Sequence, residues 1–445
     1  MVLKSFICIA GKGFVLNLNF LKNRTAKNAG WLIGGRVAQM IISFFVSTLT
    51  ARYLGPANYG IINYAAAYTA FFTAFCTLGI NSVLVKEFID KPEDAGTTIG
   101  TTLVLRAVSS LLSAFTIITI VCFVDAGEPT TIAVVALCSI GVVFHIFETF
   151  NFWFQAQLKS KITAIVTFCA YIITAIYRVI LLVMGKSVIW FAFVGSVDYI
   201  CLALFLFIAY KKHGGKKLKF SWEYSKALLS RSYHFILSGL MVAVYGYTDK
   251  IMLKHMLGES EVGLYSIATT LCTMWCFVLK AIIDSMHPSV MEAYNKKDEA
   301  LFERKNRQLY AIVFYVSIFV SVMFQIFAPL IIKILYGEAY MGSVNPLRII
   351  TWYTAFSYLG ASRDAWIVCK GCQKYLKYIY FLAAVCNVTL NFVLIPLFGA
   401  SGAAFASLIA QILISIVLPL FIKALRPNSI LMLQAIFLKG IRGGK

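Results

Sequence analysis

Twelve stretches of about 20 or more mainly apolar residues run through this 445-residue chain, near 29–50, 58–80, 98–124, 130–157, 160–184, 187–210, 233–256, 263–287, 309–335, 346–369, 374–397 and 400–424. About 20 helical residues span the hydrocarbon of a bilayer, and only helices or closed barrels satisfy their backbone polar groups there. Apolar types make up 60% of residues and charged types only 13%, too few to cover a water-soluble globule of this size. The chain is therefore predicted to be an all-α integral membrane protein with twelve transmembrane helices.

The connections alternate in charge. Residues 1–28, 81–97, 158–161, 211–232, 288–308, 370–377 and the segment after Phe421 hold 29 of the 40 Lys and Arg. The intervening connections, near 51–57, 125–129, 185–186, 257–262, 336–345 and 398–399, are short and almost free of them. The positive-inside rule then predicts that both termini are cytoplasmic. A net charge of +21 spread over such loops meets anionic membrane lipid and argues against nucleic acid as partner. Lys12, Asn17 and Asn19 interrupt the apolar residues after Lys4, so residues 1–28 read as a cytoplasmic N-terminal arm, not a signal peptide. Residues 425–445 read as a cytoplasmic tail.

The longest internal connection, 211–232, is a basic linker between an N-lobe (29–210) and a C-lobe (233–424) of six spans each. A repeat supports this division: Leu54, Gly55, Gly60 and Ala65 recur at a constant offset as Leu257, Gly258, Gly263 and Ala268. Two parallel six-helix repeats with substrate between them form a recurring transporter design.

Catalytic signatures are missing. Gly185-Lys186-Ser187 lacks the upstream glycine of a phosphate-binding loop, there is no H-E-x-x-H, and the five His are scattered. Cys369 and Cys372 form a lone C-x-x-C without a second pair, and ten of the eleven cysteines lie in or at the ends of apolar stretches. The sequence predicts a transporter that is not an enzyme and needs no cofactor or resident metal.

Charges inside spans are costly, so they mark function or pairing. Three N-lobe spans carry polar stripes at helical spacing: Arg36, Gln39, Ser43, Ser47 and Thr50; Thr102, Arg106, Ser109, Ser113 and Thr116; Thr163, Thr167, Tyr171, Thr174 and Arg178. Such stripes serve either as helix-packing surfaces or as cavity walls. The C-lobe adds Asp249, Lys250, Lys254, Lys280, Asp284, Arg363 and Asp364, and Asp198 lies in mid-span. Glu148, Asn151, Trp153 and Gln155 end the fourth span in a polar-aromatic cluster.

With Thr50-Ala51-Arg52-Tyr53-Leu54-Gly55-Pro56, Asp249-Lys250-Ile251-Met252-Leu253, Trp153-Phe154-Gln155 and Asn387 through Gly402, the chain resembles Wzx-type O-antigen and polysaccharide flippases of the multidrug/oligosaccharidyl-lipid/polysaccharide (MOP) exporter superfamily. The resemblance spans nearly all of 25–425. It implies a MATE-like fold in the bacterial inner membrane and, as substrate, an undecaprenyl-pyrophosphate-linked oligosaccharide repeat unit moved to the outer leaflet. It also implies a polysaccharide polymerase and a chain-length regulator as partners. Arg36, Arg106 and Arg363, with Arg178 and Lys280, are then expected to form a cationic cavity for the pyrophosphate. Gln39, Ser43, Ser109, Trp153 and Gln155 are expected to contact sugars. Asp249, with Asp198 second, is expected to couple H⁺ or Na⁺, with Lys250 or Arg52 as counter-charge. Three rivals stand beside this reading. A MATE-type drug or cation exporter would favour an acidic cavity, a Wzy-type polymerase would show a large external loop, and a scaffold would need no Arg within spans.

Overall fold

The computed structural model describes residues 24–440. Its described elements are helical. In the N-lobe, α1 (Arg24–Cys76), α2 (Asn81–Asp90), α3 (Ala95–Val124), α4 (Pro129–Phe144), α5 (Thr149–Ala156), α6 (Ser160–Val183) and α7 (Val188–Lys212) succeed one another. After the linker come α8 (Trp222–Leu257), α9 (Glu259–Met274), α10 (Cys276–Asn295), α11 (Glu299–Leu335), α12 (Val344–Ser362), α13 (Asp364–Cys369), α14 (Leu376–Phe398), α15 (Ala400–Ile412), α16 (Leu418–Phe421) and α17 (Arg426–Ile436). Nine stretches of the described residues are long and apolar enough to cross a membrane, and the protein is a multi-pass membrane protein. The first of these, Val37–Cys76, holds two of the predicted spans; α8, which carries Asp249, Lys250 and Lys254, does not meet the same measure.

Predicted spans are often broken helices. α1 folds at Gly55, where φ is 72° and ψ is 172°, a conformation that only glycine adopts at low cost, and Pro56 restarts the helix. Gly258 between α8 and α9 has almost the same backbone, φ 96° and ψ 177°. The two turns of the sequence repeat are thus conformationally equivalent. They also touch reciprocally. A Cβ on Gly60 would collide with the Glu259 carbonyl, and a Cβ on Gly263 with the Pro56 carbonyl. Pro56 and Glu259 are themselves equivalent under the repeat offset, so the contact is a twofold one.

This contact anchors a seam between the lobes at the end away from the basic loops. Ala51, Tyr64, Leu253, Val262, Ile332 and Tyr340 share one buried apolar core there. The Tyr340 hydroxyl donates to the Ala51 carbonyl at 2.8 Å, and Thr48 Oγ1 to the Tyr336 hydroxyl at 3.4 Å. A second core lies inside the C-lobe and a third inside the N-lobe near the basic loops.

The linker is not a loose tether. Lys219 N donates to the Gly96 carbonyl at 3.2 Å, Ser221 N to Thr101 Oγ1 at 3.1 Å, and Lys216 Nζ to the Glu93 carbonyl at 2.8 Å. Ser221 caps α8 by accepting from Tyr224 N, so helix begins eleven residues before the predicted span. Arg231 then pairs with Glu87, which also accepts from the Tyr224 hydroxyl at 3.0 Å. The predicted tail likewise folds back: α17 packs on α11, with Asn428 Nδ2 donating to the Tyr310 hydroxyl at 2.6 Å.

Candidate functional site

Three cavities border the stripes of α1 and α6. A polar cavity of 550 Å³ inside the N-lobe is lined by Gln39, Glu148, Asn151, Gln155, Thr163 and Thr167, among others. A groove of 530 Å³ lies between α1 and α9–α10, where Gln39, Ser43 and Ser47 face Thr270, Thr273 and Phe277. The third, of 480 Å³, holds Arg178, His145, Tyr199, Thr69, Thr73 and, from α8, Tyr247. Gln39 and Ser43 therefore line cavities, as does Gln155. The third-span stripe does not: Thr102, Arg106 and Ser113 are buried in protein, and Ser109 Oγ donates to the Cys76 carbonyl at 3.1 Å. That stripe is a packing surface.

The expected cations do not converge. The Arg36 side chain lies outside the described residues. Arg106 is only 1% exposed; its Nη1 donates to Thr149 Oγ1 at 3.0 Å and its Nη2 to Asn81, all within the N-lobe. Arg363 is buried in the C-lobe, where Nη1 donates to the Ile414 and Ser415 carbonyls. Those carbonyls belong to a π-helical turn, Leu413–Val417, which lacks ordinary helical partners for them, so Arg363 stabilises a helix break. Lys280 is exposed and pairs with Asp284 at 3.5 Å. Of these cations, Arg178 is the one with a described side chain that lines one of the three cavities, with Asp198 close enough to feel its charge and bonded to Thr174 Oγ1 at 3.1 Å. Trp153 lies outside these three cavities: it is 5% exposed, packed with ring centroids 4.9 Å from Phe154 and 4.8 Å from Tyr210, and borders a separate cavity of 270 Å³.

Asp249 is buried and Lys250 stands close enough for their charges to interact, but neither Lys250 nor Arg52 bonds the carboxylate. Lys250 Nζ donates to Asn63 Oδ1 at 3.2 Å and Arg52 to the Ile334 carbonyl at 3.3 Å. The carboxylate instead accepts from Asn391 Nδ2 at 2.6 Å, Ser407 Oγ at 2.5 Å and the Tyr265 hydroxyl at 2.7 Å. Neutral donors thus hold this carboxylate. Asn391 Oδ1 beside it is buried without a partner, so oxygen atoms crowd this buried site.

A charge cluster joins the lobes beside the seam; Lys254 stands out in the sequence as a charge within a span, its carboxylate partners do not. Lys254 on α8 bonds Asp125 and, at 2.7 Å, Glu128 Oε2. The Tyr64 hydroxyl donates to Asp125 Oδ2 at 2.8 Å and meets His255 Nε2 at 2.9 Å. Asp125 and Lys254 are 2% and 6% exposed. Glu128 lies outside the spans, and the hydrogen bond from Lys254 is the chief reason its carboxyl sits below the ordinary range. The partners stand 126 and 129 positions apart in sequence; only the alternating loop charge could have drawn attention to two carboxylates on so sparse a face.

Comparison with known proteins places this architecture. The chain is 20% identical to the capsular polysaccharide biosynthesis protein CapF of Staphylococcus aureus, covering 86% of this chain and 96% of that one. It is 21% identical to a Shigella flexneri protein named as an O-antigen transporter, covering 88% and 96%. The lipid II flippase MurJ, solved in an inward closed conformation, superposes with a TM-score of 0.66 at 16% identity, covering 92% of this chain and 91% of that one. The fold is that of the MOP superfamily, and residues 235–393 match the MatE family model. Over residues 25–293, more than half its length, the chain matches the family model described as polysaccharide biosynthesis protein, and it belongs to that family.

Proposed function

We propose that this protein is a flippase of the bacterial inner membrane that moves an undecaprenyl-pyrophosphate-linked oligosaccharide repeat unit from the cytoplasmic to the outer leaflet by alternating access. The basic loops face the cytoplasm, twelve helices cross the bilayer, and the seam at Gly60 and Gly263 closes the outer face. The observation that carries the reading is the pairing of two N-lobe cavities: one rich in amides and hydroxyls suited to sugars, the other holding Arg178, whose planar fork suits phosphate oxygens. The groove between α1 and α9–α10 lets a prenyl tail stay in lipid while the head enters. The names of the capsular and O-antigen relatives support the same substrate class.

In a strain lacking the native gene, Arg178→Gln is expected to leave membrane-inserted protein unchanged and to accumulate lipid-linked glycan on the cytoplasmic side. Lys at this position restores part of the export, since it keeps the charge and loses the fork. Normal export by Arg178→Gln at native expression would remove the phosphate assignment.

The buried cluster of oxygen atoms at Asp249 suits a proton or Na⁺, the latter a hard cation that favours oxygen ligands, and it supplies the coupling that resets the lobes. In vesicles with an imposed gradient, Asp249→Asn is expected to translocate at a rate indifferent to that gradient while still binding substrate. A full response to both the pH and the Na⁺ gradient would exclude Asp249 from coupling.

A further inference from the structure

The fourth predicted span is broken where it passes between the two N-lobe cavities. α4 stops at Phe144, a 3-10 turn covers His145–Glu148, and α5 restarts at Thr149. In a 3-10 turn residues three apart eclipse one another, so His145 and Glu148 meet: Nε2 and Oε2 are 3.2 Å apart. His145 lines the cavity of Arg178, and Glu148 lines the polar cavity. Their contact ties a wall of one space to a wall of the other. The imidazole lies against Tyr199, with ring centroids 5.2 Å apart.

The fixed charges around this pair balance. Arg106 from α3 and Arg178 from α6 are the cations; Glu148 and, from α7, Asp198 are the anions. Tyr199, Tyr247 and the Cys138 thiol, which donates to the Ala192 carbonyl at 3.4 Å, are the other titratable groups among the described residues lining the ring's cavity. Among the described residues lining that cavity, Arg178 is the one permanent cation. A diphosphate diester carries a negative charge on each phosphorus, so its entry leaves the cavity short of positive charge. With Nε2–H donated to Glu148, the imidazole nitrogen left to accept a proton is Nδ1, and the resulting cation is held between Glu148 and the cavity.

We propose that His145 is the second, proton-dependent cation of the phosphate site: it takes a proton from solution at Nδ1 when a diphosphate-linked head enters beside Arg178 and returns it when the head leaves. This rests on the reading of Arg178 as the phosphate site. Glu148 acts as a positioning residue that fixes the ring's tautomer and direction.

The test is calorimetric titration of the purified full-length protein with a short-chain prenyl-diphospho-N-acetylglucosamine, in two buffers of contrasting ionisation enthalpy at pH 7.5. Both phosphates of this probe are diesters and do not titrate in that range. Wild type is expected to take up roughly one proton per bound probe. His145→Gln is expected to bind roughly tenfold more weakly with no uptake, and His145→Lys to recover affinity, also without uptake. Binding by wild type without proton uptake, or undiminished uptake in either His145 variant, overturns the role of His145 and leaves Arg178 standing. Equal binding by wild type and Arg178→Gln overturns the phosphate site itself, and this inference with it.

Discussion

Leucine in place of Gly60 is expected to abolish export while the protein remains in the membrane. The position faces the Glu259 main-chain carbonyl with no space even for a methyl group, and a helix backbone cannot rotate aside as a side chain can. Overpacking of this kind costs about 1–3 kcal/mol for small additions, and an isobutyl group between two helix axes costs more. The penalty falls only on the conformation in which α1 and α9 are in contact, so the lobes part at this seam. Thr48, 7% exposed at the seam, reports the change. In a background without native thiols, Thr48→Cys should label slowly with an impermeant maleimide from the outer side, and rapidly once Gly60→Leu is added. Gly263→Leu should behave alike, because its surroundings are the repeat-related copy. Unchanged labelling in both would mean that the seam does not set which face is closed.

Lys254→Met is expected to open the same face by a different route. Asp125 is buried beside Lys254, and removing one member of such a pair leaves an uncompensated charge at a cost of about 3–5 kcal/mol. When the lobes separate, Asp125 is hydrated and the cost vanishes. The ratio of closed to open should therefore fall on the order of a hundredfold or more. Replacing both members, Lys254→Met with Asp125→Leu, should restore closure, since apolar substitutes of similar size are often neutral or stabilising. The same thiol reporter distinguishes these outcomes; a double variant as open as the single one would show that the pair does not act as a unit. Acid should loosen the latch as well. The Glu128 carboxyl is depressed by Lys254, so its contribution is present above the ordinary carboxylate pKa and lost as pH falls through the lowered value.

What could be read from sequence follows from how local each signal is. Span limits depend on runs of apolar residues, and the repeat depends on Leu-Gly and Gly spacing, so the helices and the equivalence of Gly55 with Gly258 were legible. The breaks at His145, Trp275 and Arg363 have neither Pro nor Gly at the break and were not. The stripes illustrate a second limit. Spacing identified the face of α3 that carries Arg106, but whether a polar face meets a neighbouring helix or a cavity depends on how helices pack. The stripes on α1 and α6 met cavities; that on α3 met protein from Thr102 to Ser113. Asp249 stood out because a charge within a span is conspicuous, whereas its partners Asn391 and Ser407 are ordinary residues more than 140 positions away. Glu128 and Asp125, in a five-residue connection, carried no periodic signal.

The reciprocal contact of Gly60 with Glu259 and Gly263 with Pro56 has the form of an isologous interface, the arrangement by which two copies of one protein make a symmetric dimer. Here both copies are parts of one chain, free to diverge wherever they do not meet. They have done so in charge: Arg36 stands opposite Gly239 in the repeat, and Asp249 opposite Val46. At the seam each half supplies the carbonyl that the other half's glycine admits, so a change on one side is felt by both. The two lobes can differ in charge and chemistry because the surface on which they meet keeps the symmetry of a homodimer.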